Sequence, residues 1–215
     1  RPVTVGEKVA PLIGAAPGQV LCCDSVSVNL FKLLAAALTG RRSERVVILS
    51  QRDNFPSDLY IADGLINLLR ENGISAELRL VAAENLEESI AQSPDVLLLT
   101  HVNFRTGKVH DMQRLTAVAH DYDLKVVWDL SHSAGAMALA LDDCEVDFAV
   151  GCGYKFLNGG PGAPAFLYVA SRLQAKLQNP LQGWMGHRQP FAFEPEYAPD
   201  VGINQLQTGT PCILS

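Results

Sequence analysis

The sequence predicts an α/β fold with a mainly parallel β-sheet that is covered by helices on both faces. Short apolar runs typical of buried strands alternate with longer segments whose apolar residues recur at helical spacing. Two of the helical segments stop at a glycine, Gly40 and Gly73, which is a frequent helix end. Strands joined through helices run parallel, and such sheets bind ligands beyond the carboxyl ends of their strands, so we expect a site there.

The individual elements follow from these patterns. Apolar runs predict strands at 19–23, 46–50, 74–81 and 96–100, and near 125–128, 147–150 and 164–169. Helices are predicted over 27–39, 57–72, 85–92 and 112–122. In the last of these, Leu115, Val118 and Ala119 fall on one face. After about Gln182 the alternation stops, which predicts a loop-rich stretch that contacts another subunit or domain.

Bulk composition excludes several classes of partner. The chain has 215 residues, of which 48% are hydrophobic and 19% charged, as in a globular protein with a substantial core. Its net charge of −6 and its scattered basic residues argue against nucleic-acid or anionic-membrane binding. No apolar stretch is long enough to span a membrane, and no signal peptide is recognisable.

The cysteines and the chain ends add two expectations. The 5 cysteines form no CxxC pair, so we expect reduced thiols in a cytoplasmic protein and no metal site. The chain begins at Arg1 without a methionine and ends in an apolar run over 211–215. We therefore expect it to be part of a longer protein.

Two polar residues at consecutive strand ends carry the strongest chemical signal. Asp129 ends one predicted strand, and Lys155 follows the next strand and precedes a glycine-rich loop. A pyridoxal phosphate (PLP) enzyme needs this pair, because the lysine holds the cofactor as a Schiff base and the carboxylate keeps the pyridine nitrogen protonated. The alternatives are a surface lysine on a loop and an aspartate that caps the next segment. The other five lysines lie in polar or edge contexts: Lys8, Lys32, Lys108, Lys125 and Lys176.

Three further segments surround the expected site. Segment 24–29 opens a helix after the first strand, where free N–H groups and the Ser27 hydroxyl suit a phosphate, although a plain helix cap has the same sequence. Phe55 suits stacking on a flat cofactor and Asp58 suits a hydrogen bond near it, although both also suit a helix start. His132 suits either cofactor contact or a structural role. The chain has no GxGxxG or GxxxxGK[ST] motif, which argues against dinucleotide and nucleoside triphosphate binding.

Taken together, these segments resemble the kynureninase family, whose members have the fold-type I PLP-dependent transferase-like large domain. The motifs are SVSVNL at 25–30, RDNFPSD at 52–58, HVNFRTG at 101–107, DLSHSAG at 129–135, YKFLNGGPG at 154–162 and GWMGH at 183–187. DxxHSAG also occurs in related desulfurases, whereas FPSD, THVNxRTG and YKxLNGG are more specific. The motifs run through nearly the whole chain in family order.

The resemblance implies a role for each site residue. Lys155 carries the PLP, Asp129 pairs with the pyridine nitrogen and Phe55 stacks on the ring. The remaining cofactor contacts implied are Val26, Ser27 and Tyr154 on the phosphate, and Asp58, Thr100 and His132 around the ring. Trp184 and the position of Thr210 reach into the site of a neighbouring subunit, which implies a homodimer. Lys155 and Asp129, with Tyr154, are the implied catalytic residues.

The implied reaction is the hydrolysis of L-kynurenine to anthranilate and L-alanine in tryptophan catabolism, with 3-hydroxykynurenine as a possible second substrate. Lys155, once freed by the substrate amine, takes the Cα proton, and the Cβ–Cγ bond then breaks. Thr210 and the NGGPG loop resemble the bacterial type, which favours unmodified kynurenine. The family also has a C-terminal small domain that supplies an arginine for the substrate carboxylate. We expect residues 1–215 to be the PLP-binding large domain alone, truncated at both ends, with an incomplete site.

Two alternatives remain open at the level of sequence. A cysteine desulfurase or selenocysteine lyase would use the same Asp–Lys pair together with a catalytic cysteine beyond Ser215. An inactive core fragment would keep the motif residues without binding the cofactor.

Overall fold

The computed structural model describes residues 1–39 and 45–212. Its strands are β1 Val20–Cys22, β2 Arg45–Gln51, β3 Ser75–Val81, β4 Val96–Thr100, β5 Lys125–Asp129, β6 Phe148–Cys152 and β7 Ala165–Val169. All seven predicted strands are present, with ends within two residues of the predicted ones. This agreement reflects how strongly buried strands are marked by continuous apolar runs.

The strands form one sheet in the order β1-β7-β6-β5-β4-β2-β3. Strands β2 to β6 pair in parallel, whereas β7 runs antiparallel to both of its neighbours. The predicted mainly parallel sheet is therefore confirmed. The carboxyl ends of β4, β5 and β6 lie along one edge of the sheet, which brings the segments after Thr100, Asp129 and Cys152 together.

Helices pack on both faces of the sheet, as predicted. They are α1 Pro2–Val9, α2 Val26–Ala37, α3 Pro56–Glu71, α4 Leu86–Ile90, α5 Met112–Asp121 and α6 Ser171–Gln174. Alternate strand residues contribute to two separate cores, so that Val126 and Trp128 face one core and Val127 faces the other. Helices α2 and α3 cover the second core, whereas α1, α4 and α5 cover the first. The predicted end of α2 at Gly40 lies outside the described residues.

Helix α1 was not predicted from the sequence. It packs directly on β1, and a Cβ added at Gly6 would lie 2.1 Å from the Val20 carbonyl oxygen. A glycine in the middle of a helix lowers its intrinsic propensity, which hides the element from pattern analysis. Here tertiary contact requires the glycine, because only a residue without a side chain allows this approach.

The stretch after Gln182 is loop-rich, as predicted. Its regular elements are three short 3₁₀ turns at Trp184–Gly186, Pro190–Ala192 and Gly202–Leu206. Two glycines pack the first turn against the backbone that follows the last, because a Cβ at Gly183 would lie 2.1 Å from the Thr208 carbonyl oxygen and one at Gly186 would lie 2.5 Å from that of Gln207. Within residues 1–39 and 45–212, no helix is long and apolar enough to cross a membrane.

Candidate active site

A cavity of about 570 Å³ opens at the carboxyl ends of the central strands. Its walls come from the ends of β1, β5 and β6 and from the first turns of α2 and α3. The residues expected from the sequence that line it are Val26, Ser27, Phe55, Asp58, Asp129, Tyr154, Lys155 and Thr210. The location agrees with the general rule for parallel sheets, since Asp129 ends β5 and Lys155 follows the carboxyl end of β6.

The Lys155 amine lies against aromatic side chains and one imidazole. Its Nζ atom is 3.0 Å from His132 Nε2 and 5.6 Å from the centre of the Phe55 ring. Burial, and next the Lys155 charge, lower the pKa of His132, so this imidazole is neutral at neutral pH. Its other nitrogen, Nδ1, is buried without a hydrogen-bond partner among the described residues. The His132 ring therefore contacts the Lys155 amine through Nε2, and its Nδ1 atom is left without a partner.

Two buried carboxyl groups form the floor of the cavity. Asp129 is 1% exposed, and its Oδ1 accepts hydrogen bonds from Ser131 N at 2.8 Å and Ser131 Oγ at 2.6 Å. Asp58 is 2% exposed and hydrogen-bonds to Asp129. Burial, and next the charge of Asp129, raise the pKa of Asp58 well above its usual range. Asp58 is therefore protonated at neutral pH and can donate its hydrogen bond to Asp129.

A network behind Phe55 fixes both the aromatic ring and the Asp58 carboxyl. Asn54 Oδ1 accepts from Phe55 N at 2.7 Å, and Asn54 Nδ2 donates to Ser50 Oγ at 3.0 Å. Thr100 Oγ1 contacts Asn54 Oδ1 and lies 3.3 Å from Asp58 Oδ2. Thr100 thus supports the site from behind, without lining the cavity. The roles of Asn54 and Ser131 could not be predicted from the sequence, because Asn54 contacts Thr100, 46 positions away, and Ser131 contacts Asp129 through a turn.

The N-terminus of α2 offers an anion site in one corner of the cavity. Ser25 caps the helix, and its Oγ accepts from Val28 N at 3.3 Å. The Val26 and Ser27 amides belong to the first turn, whose N–H groups have no helical carbonyl to bind. The Ser27 hydroxyl lies 3.2 Å from the Ser57 hydroxyl at the start of α3. The amides, the hydroxyls and the positive helix end together suit a phosphate.

The structure corrects one sequence expectation, that for Lys32, and shows where three of the other candidate residues lie. Thr210 lines the cavity of its own chain, and its implied contact with the site of a neighbouring subunit stays a prediction. Trp184 lies outside this cavity, is 39% exposed and packs on Phe191, with ring centres 5.5 Å apart. Lys32 was expected in a polar or edge context but is fully buried. Tyr154 is 54% exposed at the cavity mouth, where partial burial raises the pKa of its phenol.

The turn after β5 packs against the turn that carries Lys155, and this contact requires a glycine. Gly135 has φ 84°, and a Cβ there would lie 2.6 Å from the Phe156 carbonyl oxygen. Gly135→Ala is expected to destabilise the protein by about 2–4 kcal/mol, measured by urea unfolding. Gly107→Ala is the matched control, because Gly107 also has positive φ but open space around it, and it should cost about 1 kcal/mol. Equal costs for the two variants would contradict the packing argument.

The buried Asp58 carboxyl also predicts a pH dependence of stability. The pKa of Asp58 is higher in the folded than in the unfolded chain. The free energy of unfolding of the wild type therefore falls as the pH rises above about 4. The melting temperature of Asp58→Asn relative to wild type, without cofactor, should therefore increase between about pH 5 and about pH 8.5. Each kcal/mol gained corresponds to about 2–4 °C. Asp63→Asn, exposed on the same helix, is the control. A constant or shrinking difference for Asp58→Asn contradicts the assignment of its proton.

Fold and cavity together define a family. The sequence profile described as "Aminotransferase class-V" matches residues 7–214. The chain therefore belongs to the aminotransferase class-V family. Among solved structures, it is similar to the apo cysteine desulfurase from Thermococcus onnurineus NA1, with a TM-score of 0.78 and 21% identity over 97% of this chain and 52% of that one. A C-DES mutant with glycine covalently linked to its PLP cofactor gives a TM-score of 0.80 at 19% identity, covering 97% of this chain and 55% of that one. These likenesses confirm the predicted fold class.

Curated relatives agree with the resemblance seen in the motifs. The chain is 50% identical over 214 residues to a kynureninase of Deinococcus radiodurans, a match that covers 100% of the chain and 51% of that protein. It is 47% identical over 215 residues to a kynureninase of Pseudomonas fluorescens, covering 98% of the chain and 51% of that protein. The chain thus spans about half the length of the curated relatives that it matches.

Proposed function

We propose that the protein is a PLP-dependent kynureninase, which hydrolyses L-kynurenine to anthranilate and L-alanine in tryptophan catabolism. The single observation that carries the proposal is one cavity lined by Lys155, Phe55 and Asp129, with the anion site of α2 in its corner. The identity of about half of the residues to named kynureninases supports the choice of substrate. Residues 1–215 would then be the cofactor-binding large domain.

The residues present fit PLP. The Phe55 ring suits the flat face of a pyridine ring, and the Asp129 carboxylate suits its nitrogen. The Nδ1 atom of His132, which is buried without a hydrogen-bond partner among the described residues, suits a polar substituent of the ring. Val26, Ser27 and Tyr154 would hold the phosphate, and Lys155 would hold the cofactor covalently. Asp58, Thr100 and His132 would complete the shell. When bound, PLP supplies a protonated ring that accepts electrons from the substrate.

The chain's own residues then divide the proton chemistry. Asp129, beside the protonated Asp58, would pair with the ring nitrogen of PLP and favour its protonated form. Lys155 lies beside a neutral imidazole, so its freed amine has a partner at 3.0 Å and no carboxylate in contact with it among the described residues. This arrangement leaves Lys155 free to take the substrate Cα proton as a general base.

The proposal includes a homodimer and a cytoplasmic location. Three aromatic side chains, Trp184, Phe191 and Phe193, pack on one another in the loop-rich stretch, where Phe191 is 72% and Phe193 is 76% exposed. An apolar surface of this kind suits contact with a second copy, which would bring Trp184 to the neighbouring site. The five cysteines are unpaired, in agreement with a reducing compartment.

The decisive assay compares three candidate substrates on the full-length protein with PLP. Anthranilate should form from L-kynurenine, and 3-hydroxyanthranilate should form more slowly from 3-hydroxykynurenine. L-cysteine should release no sulfide. Sulfide release without anthranilate would instead assign a cysteine desulfurase. Absence of both products with a correctly folded, PLP-loaded protein would contradict the proposed enzyme.

A further inference from the structure

A fully buried lysine lies behind the anion site and takes no part in the proposed chemistry. Lys32 is the one charged residue in the sequence of α2, and its side chain is 0% exposed. Its Nζ atom donates to Asp24 Oδ2 at 2.5 Å and to the Leu206 carbonyl oxygen at 2.7 Å. Burying an ammonium group is costly unless it is paired, so both contacts are needed to keep Lys32 inside the protein.

The partner carboxylate belongs to the wall of the cavity. Asp24 lies directly before the helix cap Ser25, and its side chain keeps 28% of its exposure. Its backbone has a positive φ of 47°, and its carbonyl oxygen accepts from Ala165 N at 2.9 Å. A negative charge is thus fixed next to the amides that would hold a phosphate. Without compensation it would repel a phosphate dianion across a partly buried space, where charges interact strongly.

The second contact of Lys32 reaches a distant part of the chain. Leu206 ends the last 3₁₀ turn and is followed after four residues by Thr210, which lines the same cavity. Thr208, between them, accepts a hydrogen bond from Met185 N at 3.3 Å. Lys32 therefore connects the Asp24 side of the cavity to the C-terminal segment that carries Thr210.

We propose that Lys32 is a positioning residue that neutralises Asp24 and so makes the N-terminus of α2 competent for a phosphate monoester. The inference rests on the proposed function, because it takes the ligand at this corner to be the phosphate of PLP. Lys32 acts through Asp24 and does not touch the ligand. Its removal should therefore harm the binding of a phosphorylated ligand more than that of the same ligand without phosphate.

The test is a cycle of four full-length apoproteins: wild type, Lys32→Met, Asp24→Asn and the double variant. Dissociation constants are measured for PLP and for pyridoxal, which has the same aldehyde and ring but no phosphate. Lys32→Met should weaken PLP binding by about tenfold or more and pyridoxal binding by less than about threefold. Adding Asp24→Asn should restore PLP binding to within about threefold of wild type, because both charges are then absent. Lys176→Met, at an exposed lysine, is the control.

Each outcome bears on one of the two proposals. Equal weakening for PLP and pyridoxal, without recovery in the double variant, would make Lys32 a purely structural residue and overturn the inference. If Lys32→Met does not fold, the double variant decides, since a selective loss of PLP binding in it also overturns the inference. Failure of the wild-type protein to bind either compound would overturn the proposed cofactor site itself, before any variant is considered.

Discussion

Lys155→Ala is expected to abolish covalent cofactor attachment and to lower kynurenine turnover by at least about 10³-fold. The variant removes two functions at once, the covalent anchor and the general base, and the general base alone typically contributes about 10²–10⁴-fold. Anthranilate formation at saturating substrate and excess PLP measures the effect. Lys176→Ala, an exposed lysine after β7, should leave turnover within about twofold.

Among the lysines that the structure describes, Lys155 alone lines the cavity. Lys32 is buried behind the anion site and already donates to Asp24 and Leu206. Lys125 begins β5, at the opposite end of the strand from Asp129, with its amine 3.9 Å from Asp147. Turnover of Lys155→Ala close to that of wild type would therefore contradict the assignment of the site, and not merely the role of one side chain.

Asp129→Asn is expected to lower turnover by about 10²–10³-fold while PLP still binds. The amide keeps the size of the side chain but not its charge, so the proton on the ring nitrogen loses its partner. The corresponding steady-state assay should show a fall in kcat rather than a rise in KM, because the electron-accepting step is impaired and substrate binding is not.

Asp58→Asn provides the matched control for the carboxyl pair. Since Asp58 already keeps its proton, an amide that donates a hydrogen bond to Asp129 replaces it with little electrostatic change. Turnover should stay within about tenfold of wild type, as expected for the loss of a supporting hydrogen bond. A larger loss for Asp58→Asn than for Asp129→Asn would reverse the two roles.

Local sequence patterns were sufficient for the fold and for bringing the candidate site residues to one edge of the sheet. Strands such as 96–100 are buried on both faces and are written as continuous apolar runs, which makes them recognisable without any tertiary information. Because parallel strands end at one edge, the residues after β5 and β6 were expected to meet, and Asp129 and Lys155 do line one cavity. These inferences needed only strand direction and residue type.

Features that depend on distant partners could not be predicted in this way. The proton on Asp58 results from burial against Asp129, which lies 71 positions further along the printed sequence. Lys32 is the clearest case, because its lone charge in an apolar helix was a visible signal, whereas its partners Asp24 and Leu206 were not. Helix α1 was hidden by a glycine that only its contact with β1 explains. In each case the determining interaction is tertiary.

The central claim is that Lys155 holds PLP in the cavity at the carboxyl ends of the strands. It is tested most directly by treating the PLP-loaded, full-length protein with borohydride, digesting it and locating the modified lysine by mass spectrometry. A pyridoxyl-phosphate group is expected on the peptide that contains Lys155. Modification of any other lysine in its place, or of none, would contradict it.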